Sequence, residues 1–224
     1  MIDLHTHTVF SDGELIPVEL ARRAAVAGYR AIAITDHGDF SNFDLIIPRL
    51  VRVAAELGDA WGITILPGIE LTHIPPAMIA AAAGEVRALG AKIVVCHGET
   101  LTEPVAPGTN RAALEADIDV LSHPGLITLG DAVLAAKRGI CLEITTRKGH
   151  SLTNGHVARM ALAAGARMVI NNDAHGPGDL VSPEMSRRIA LGAGLTEEQV
   201  EQCRRNSEEL VRKRNQVSGI RKSG

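Results

Sequence analysis

Side chains able to hold a metal ion recur in short clusters between positions 5 and 175 of the sequence. His5 and His7 alternate and run into Ser11-Asp12-Gly13. Further on come Thr35-Asp36-His37, Gly68-Ile69-Glu70, Cys96-His97-Gly98, Ser122-His123-Pro124 and Asn172-Asp173-Ala174-His175. In an extended chain side chains repeat every two residues, so His5 and His7 share one side, as do Asp173 and His175. Imidazole nitrogen and carboxylate oxygen suit Zn²⁺, Mn²⁺ and Fe²⁺. His5, His7, Asp12, His37, Glu70, His97, His123, Asp173 and His175 make more donors than the roughly four to six that one transition-metal ion takes. Two or three divalent ions are therefore expected, with a carboxylate free to bridge. Such a cluster lowers the pKa of a bound water and neutralises phosphoryl oxygens, which is the chemistry of phosphate ester hydrolysis. Ser11 and Ser122 are not needed as nucleophiles, because the neighbouring histidines are better used by metal.

The elements that must bring these residues together are short β-branched runs alternating with Ala-rich amphipathic stretches, the pattern of parallel βα units. Seven strands are expected: Ile2–His5, Ala31–Thr35, Ile63–Ile69, Lys92–His97, Val120–His123, Ile140–Ile144 and Met168–Asn172. Helices are expected over Pro17–Ala27, Asp44–Leu57, Ala77–Leu89, Asn110–Glu115, Leu129–Lys137 and Asn154–Ala164. Gly28, Gly58, Gly90, Gly139 and Gly165 stand where helices stop and the next strand begins. Two more helices, Pro183–Leu191 and Thr196–Lys213, follow, the second capped by Thr196 with Glu197 and Glu198 in its first turn. Nothing divides the chain, so residues 1–214 read as one α/β domain and 215–224, with Arg221 and Lys222, as a solvated tail. A (βα)7 TIM-like barrel fits, and an open doubly wound sheet has the same periodicity. In a barrel the C-terminal strand ends converge on one rim. Asp12-Gly13 alone would be an ordinary turn, and a lone His97 or His123 an ordinary core or surface residue. Donors at six of seven strand ends are much harder to obtain by accident. His73, His150 and His156 fall outside the pattern and read as surface or substrate-loop residues.

Composition narrows the partners. Of 224 residues, 46% are hydrophobic but only 2% aromatic, so the core must be Ala, Val, Ile and Leu, and a multi-ring platform for nucleic-acid bases is not expected. The net charge of −3 gives no global attraction to nucleic acid or anionic membranes, so a bound anion must be held locally. The N-terminus lacks the basic and apolar regions of a signal peptide, and the most apolar stretch, Ile74 to Gly84, is too short to span a bilayer. A cytoplasmic protein is expected. Cys96, Cys141 and Cys203 are odd in number and widely spaced, which supports neither a disulfide framework nor a zinc knuckle.

The motifs Asp3-Leu4-His5-Thr6-His7 with Ser11-Asp12-Gly13, Thr35-Asp36-His37, Gly68-Ile69-Glu70, His97-Gly98-Glu99, Ser122-His123-Pro124 and Asn172-Asp173-Ala174-His175 together resemble those of the PHP (polymerase and histidinol phosphatase) superfamily of metal-dependent phosphoesterases. The resemblance implies a distorted (βα)7 barrel with a trinuclear site at its C-terminal rim. It implies one metal held by His5, His7, Glu70 and Asp173, a second by Asp12, His37 and His175, and a third by His97, His123 and a bridging Glu70. Asp12 stands where some members carry histidine, and its oxygen favours Mn²⁺ or Fe²⁺ alongside Zn²⁺. Asp36 is a candidate orienter or proton acceptor beside His37. The sixth strand contributes no ligand in this reading, but its loop places Arg147 and Lys148 on the rim to clamp phosphate, and His150 to assist the leaving group. The substrate class implied is a small phosphomonoester resembling histidinol phosphate. The alternatives are a nucleic-acid exonuclease or an RNA-binding scaffold like the barrel subunits of ribonuclease P.

Overall fold

A computed structural model describes residues 1–57 and 60–216. Eight strands alternate with helices: β1 (Ile2–Asp3), α1 (Pro17–Val26), β2 (Ala31–Ile34), β3 (His37–Gly38), α2 (Phe43–Leu57), β4 (Thr64–Leu71), α3 (Ile79–Ala88), β5 (Ile93–His97), α4 (Thr109–Glu115), β6 (Val120–Ser122), α5 (Leu129–Arg138), β7 (Cys141–Thr145), α6 (Asn154–Ala164) and β8 (Met168–Asn171), followed by α7 (Pro183–Gly192) and α8 (Glu197–Gln216). All pairings are parallel, in the order β1-β2-β4-β5-β6-β7-β8, with β3 on β4.

β2 answers to the expected strand Ala31–Thr35, and after a break at Thr35-Asp36 the two residues of β3 extend it beyond the expected end. Thr35 turns its N–H to the Thr6 carbonyl at 2.8 Å, and ladder pairing resumes at His37 opposite Glu70. The first strand is regular for only two residues before a bend at Leu4. The third helix starts later than expected, because Pro75 and Pro76 open a 3-10 turn over Pro76–Met78. Gly28, Gly90, Gly139 and Gly165 adopt positive φ at the predicted stops. Gly58 and the tail from 217, with Arg221 and Lys222, lie outside the described residues.

Helices form where the sequence supplies an apolar stripe and a cap. In α2, Phe43, Ile46, Ile47 and Leu50 are buried at helical spacing. The hydroxyls of Thr128, Ser182 and Thr196 accept the N–H groups of Asp131, Met185 and Gln199 at the starts of α5, α7 and α8.

The sheet closes on itself. Thr6 bridges Ala174, and the His7 N–H donates to the Ala174 carbonyl at 2.8 Å. The N–H of Leu4 donates to Asn171 Oδ1 at 3.0 Å and that of Asn172 to Asp3 Oδ1 at 3.2 Å. These cross-seam bonds distinguish a barrel from an open doubly wound sheet. Its interior is filled by Leu4, Ala33, Leu66, Ile93, Val95, Val120, Cys141 and Val169, and Leu210 of α8 plugs it at the N-terminal end. Asn206 of α8 caps the Met168 carbonyl, and Arg214 reaches buried Asp119, which also receives Arg87. The outward strand side chains, such as Ile32, Ile34, Val94, Cys96, Leu142 and Ile144, join the helices in the larger core. No described helix is long and apolar enough to cross a membrane.

Candidate metal centre

The residues that fill the barrel establish which strand positions point inward, and the same parity carried towards the C-terminal ends produces the site. Leu66 leads to Glu70, Ile93 and Val95 to His97, Val120 to Ser122, Cys141 to Glu143, and Val169 to Asn171 and Asp173. The bend at Leu4 lets β1 keep Leu4 in the core and still present His5 and His7 to the rim, with ring centroids 5.0 Å apart. His123 and Asp173 hold φ of 25° and 53°, left-handed values that cost non-glycine residues energy and concentrate at functional positions.

Glu70 is the hub. Its Oε1 lies 3.1 Å from His5 Nε2 and 3.7 Å from His123 Nε2, and it accepts the Ser122 hydroxyl at 2.7 Å. Its Oε2 lies 2.7 Å from His37 Nδ1 and 3.9 Å from His7 Nε2. Asp173 faces the same rings, 3.2 Å from His7, and 3.7 Å from both His5 and His123. Asp12 sits 3.2 Å from His175 Nε2 and 3.5 Å from His37 Nε2. Four sets have donor atoms close enough to share an ion: His7 with Asp12, His37 and His175; His5 with His123 and Asp173; His5 with His7 and Glu70; and Glu70 with His97 and His123. All nine expected donors are brought together.

The electrostatics suit cations. His7 and His123 are held neutral by burial, reinforced by neighbouring imidazoles, which leaves their nitrogens free for a metal. Burial works against a charge on His5, but Glu70, Glu143 and Asp173 raise its pKa well above the ordinary value. His37 is likewise taken to about 10 by Asp12 and Glu70 in spite of burial. These protonated rings balance carboxylates that a divalent ion would otherwise neutralise. His5 Nε2, both nitrogens of His7 and His123 Nδ1 are buried without a hydrogen-bond partner. Orphaned polar atoms at such a density are expensive unless an ion satisfies them, so the donor set fits divalent metal.

Two carboxylates at the site escaped the sequence reading. Glu143, fully buried in β7, accepts from His5 Nδ1 at 2.8 Å, from Asn171 Nδ2 at 2.9 Å and from the His123 backbone N–H at 3.0 Å. It fixes the His5 tautomer with Nε2 facing the cluster. A charge inside an otherwise apolar strand was the available signal. Glu103, on the loop after β5, lies 3.0 Å from His97 Nε2 and 3.4 Å from His150 Nε2, and the His97 contact brings its pKa down to about 2.

The remaining expected site residues divide. Asp36 directs its oxygens to the Thr8 N–H, the Thr8 hydroxyl and the Ser11 hydroxyl, so it braces the loop that carries Asp12. Arg147 lies against the cluster, its guanidinium 2.8 Å from His175 Nδ1 and donating to the Asp173 carbonyl at 3.1 Å. Lys148 is exposed beside it. His150 is buried, stacked on His123 at 4.1 Å, with Nδ1 bonded to the hydroxyls of Thr100 and Thr102 and Nε2 turned inward. His73 is half exposed and 3.7 Å from Glu103, while His156 ties α6 to the Ile127 carbonyl.

Comparison with known proteins gives a consistent picture. The PHP domain family profile matches residues 3–147. An uncharacterized protein of Methanocaldococcus jannaschii is 50% identical over 201 residues, covering 89% of this chain and 92% of its own. A probable phosphatase of Shewanella oneidensis is 31% identical over 203 residues, covering 78% and 76%. Among solved structures, a chain of archaeal ribonuclease P with mature tRNA superposes with a TM-score of 0.73 at 17% identity, covering 100% of this chain and 96% of its own. Histidinol phosphate phosphatase from Lactococcus lactis, complexed with zinc, L-histidinol and phosphate, superposes with 0.58 at 18% identity, covering 87% and 94%.

Proposed function

Because the chain belongs to the PHP domain family, we propose that it is a metal-dependent phosphatase acting on a small phosphomonoester. The observation that carries this reading is the convergence of nine His, Asp and Glu donors, six of them buried and three of the histidines with nitrogens that have no hydrogen-bond partner. His5, His7, Glu70 and Asp173 would hold one divalent ion, Asp12, His37 and His175 a second, and His97, His123 and bridging Glu70 a third. Zn²⁺, Mn²⁺ and Fe²⁺ all suit these donors. Divalent ions in such a site supply Lewis-acid neutralisation of phosphoryl oxygens and an acidified water.

The protein's own groups do the rest. Arg147, with Lys148 beside it, is within reach of the cluster and supplies a planar fork for phosphate oxygens. His150, its Nδ1 held by two threonine hydroxyls, presents Nε2 to protonate the departing ester oxygen as the P–O bond breaks and water oxygen joins phosphorus. The products are inorganic phosphate and an alcohol. Asp36 acts through Thr8 and Ser11 as a positioning residue for Asp12.

A second reading, hydrolysis of nucleic-acid phosphodiesters or RNA binding, draws on the full-length superposition with the ribonuclease P chain. One experiment separates them. Metal-stripped protein is given Mn²⁺, Fe²⁺ or Zn²⁺ in separate assays with a panel of phosphometabolites and with single-stranded RNA and DNA. Inorganic phosphate released from monoesters is the expected result. Nucleotide release alone, or RNA binding without turnover, would replace this reading.

A further inference from the structure

Three leucines stand exposed on three consecutive rim loops: Leu101 after β5, Leu126 after β6 and Leu152 after β7, at 57%, 62% and 73% of full exposure. Each follows a histidine of the site by two to four residues: His97, His123 and His150. The loops are in contact with one another. Thr100 and Thr102 both bond His150 across the first and third loops, and a Cβ on Gly149 would meet Thr102 Cγ2 at 3.3 Å. Gly125, at φ 60°, lies so close to the first loop that a Cβ there would be 1.8 Å from the Glu99 carbonyl oxygen, and Asn110 Nδ2 donates to the Pro124 carbonyl at 2.9 Å. The rings beneath are continuous as well, with His97 4.4 Å from His123 and His123 4.1 Å from His150. The leucines are therefore carried by the loops that rise from the His97–His123–His150 side of the metal centre, with Arg147 and Lys148 on the same β7–α6 loop as Leu152.

Large apolar side chains left in water on the lip of a charged site have a use when the ligand is charged at one end and apolar at the other. We propose that Leu101, Leu126 and Leu152 receive the alcohol portion of the substrate, which is an apolar group of several carbons, so that the preferred phosphomonoester is amphiphilic. This rests on the phosphatase reading and assigns its substrate class. Continuity of the three loops with the metal centre favours the substrate over a second copy of the chain as the occupant.

The test uses n-alkylphosphonates, which carry the anionic head but cannot be hydrolysed at an ester bond. Methyl-, butyl- and octylphosphonate are titrated calorimetrically into manganese-loaded protein. Affinity should climb by roughly two- to fourfold per methylene until the leucines are covered. Combined Leu101→Ser, Leu126→Ser and Leu152→Ser should flatten that slope, whereas Leu162→Ser, exposed on α6, should not. Affinity independent of chain length in the wild type, or a slope that survives in the triple variant, overturns the proposal. So does a triple variant whose sedimentation shows a lost oligomer while the slope persists, since the leucines would then form a subunit contact. A chain-length slope without phosphate release from any monoester would instead remove the phosphatase reading and leave the apolar site standing. Phosphate release with no slope would do the reverse.

Discussion

Glu70 contributes both oxygens to the cluster, facing His5 and His123 with one and His37 and His7 with the other, whereas each histidine offers a single nitrogen. In the proposed arrangement a carboxylate so placed serves more than one ion, so Glu70→Gln should lower bound metal by more than one equivalent in elemental analysis, and His97→Ala by no more than one. The reverse ranking would remove Glu70 from the bridging position. Glu143 acts one step further out. Glu143→Gln cannot accept from His5 Nδ1 with a full charge, and loss of such a partner typically weakens metal affinity by about 10- to 100-fold. Competition with a chelator should register that loss, while the circular dichroism spectrum stays that of the wild type. Unchanged affinity would make Glu143 a purely structural acceptor for Asn171 and His123.

At the scale of elements, the strand ends were legible because period-2 alternation and the donor clusters coincide. Expected and observed strands therefore overlap at every unit. The interruption between β2 and β3 was not legible, since it arises when Thr35 turns to pair with Thr6, a contact outside the local pattern. The role of Glu143 was not legible either, because it depends on closure of the barrel, which brings β7 within one strand of β1. The loops depend on close backbone contact, most severely at Gly125. Gly125 and Gly139 share left-handed φ near 60–70°, but the Cβ of an alanine would strike the Glu99 carbonyl at Gly125 and open space at Gly139. Both substitutions carry the left-handed penalty of roughly 1–2 kcal/mol. Only Gly125→Ala must also push apart the loops after β5 and β6, so it should melt several degrees lower than Gly139→Ala and lose metal from the His97–His123 side. Equal melting temperatures would mean the loops yield freely.

For the whole molecule, closure of the barrel is the feature the sequence left open, because open and closed parallel sheets share one periodicity. What decides it is the pairing of residues near opposite ends of the chain, among them Asp3 with Asn172. Asp3 is fully buried in that seam. Its Oδ1 accepts the N–H groups of His5 and Asn172 at 3.2 Å each, and its Oδ2 has no partner. Burial raises its pKa to about 7, with the two N–H groups and the His5 charge opposing. A carboxyl with a raised folded pKa keeps a proton that the unfolded chain has already lost, so folding binds protons between pH ~4, the ordinary carboxyl value, and about 7. The stability tied to Asp3 is thus complete below that window, falls as pH rises through it and does not return above. Asp3→Asn keeps the Oδ1 acceptor and removes the charge. In chelator-treated protein its melting temperature relative to wild type should therefore rise from pH 5 to pH 8, by several degrees if each pKa unit is worth about 1.4 kcal/mol and each kcal/mol roughly 2–4 °C. A difference that is constant with pH would mean that Asp3 is charged throughout and that the seam tolerates the charge.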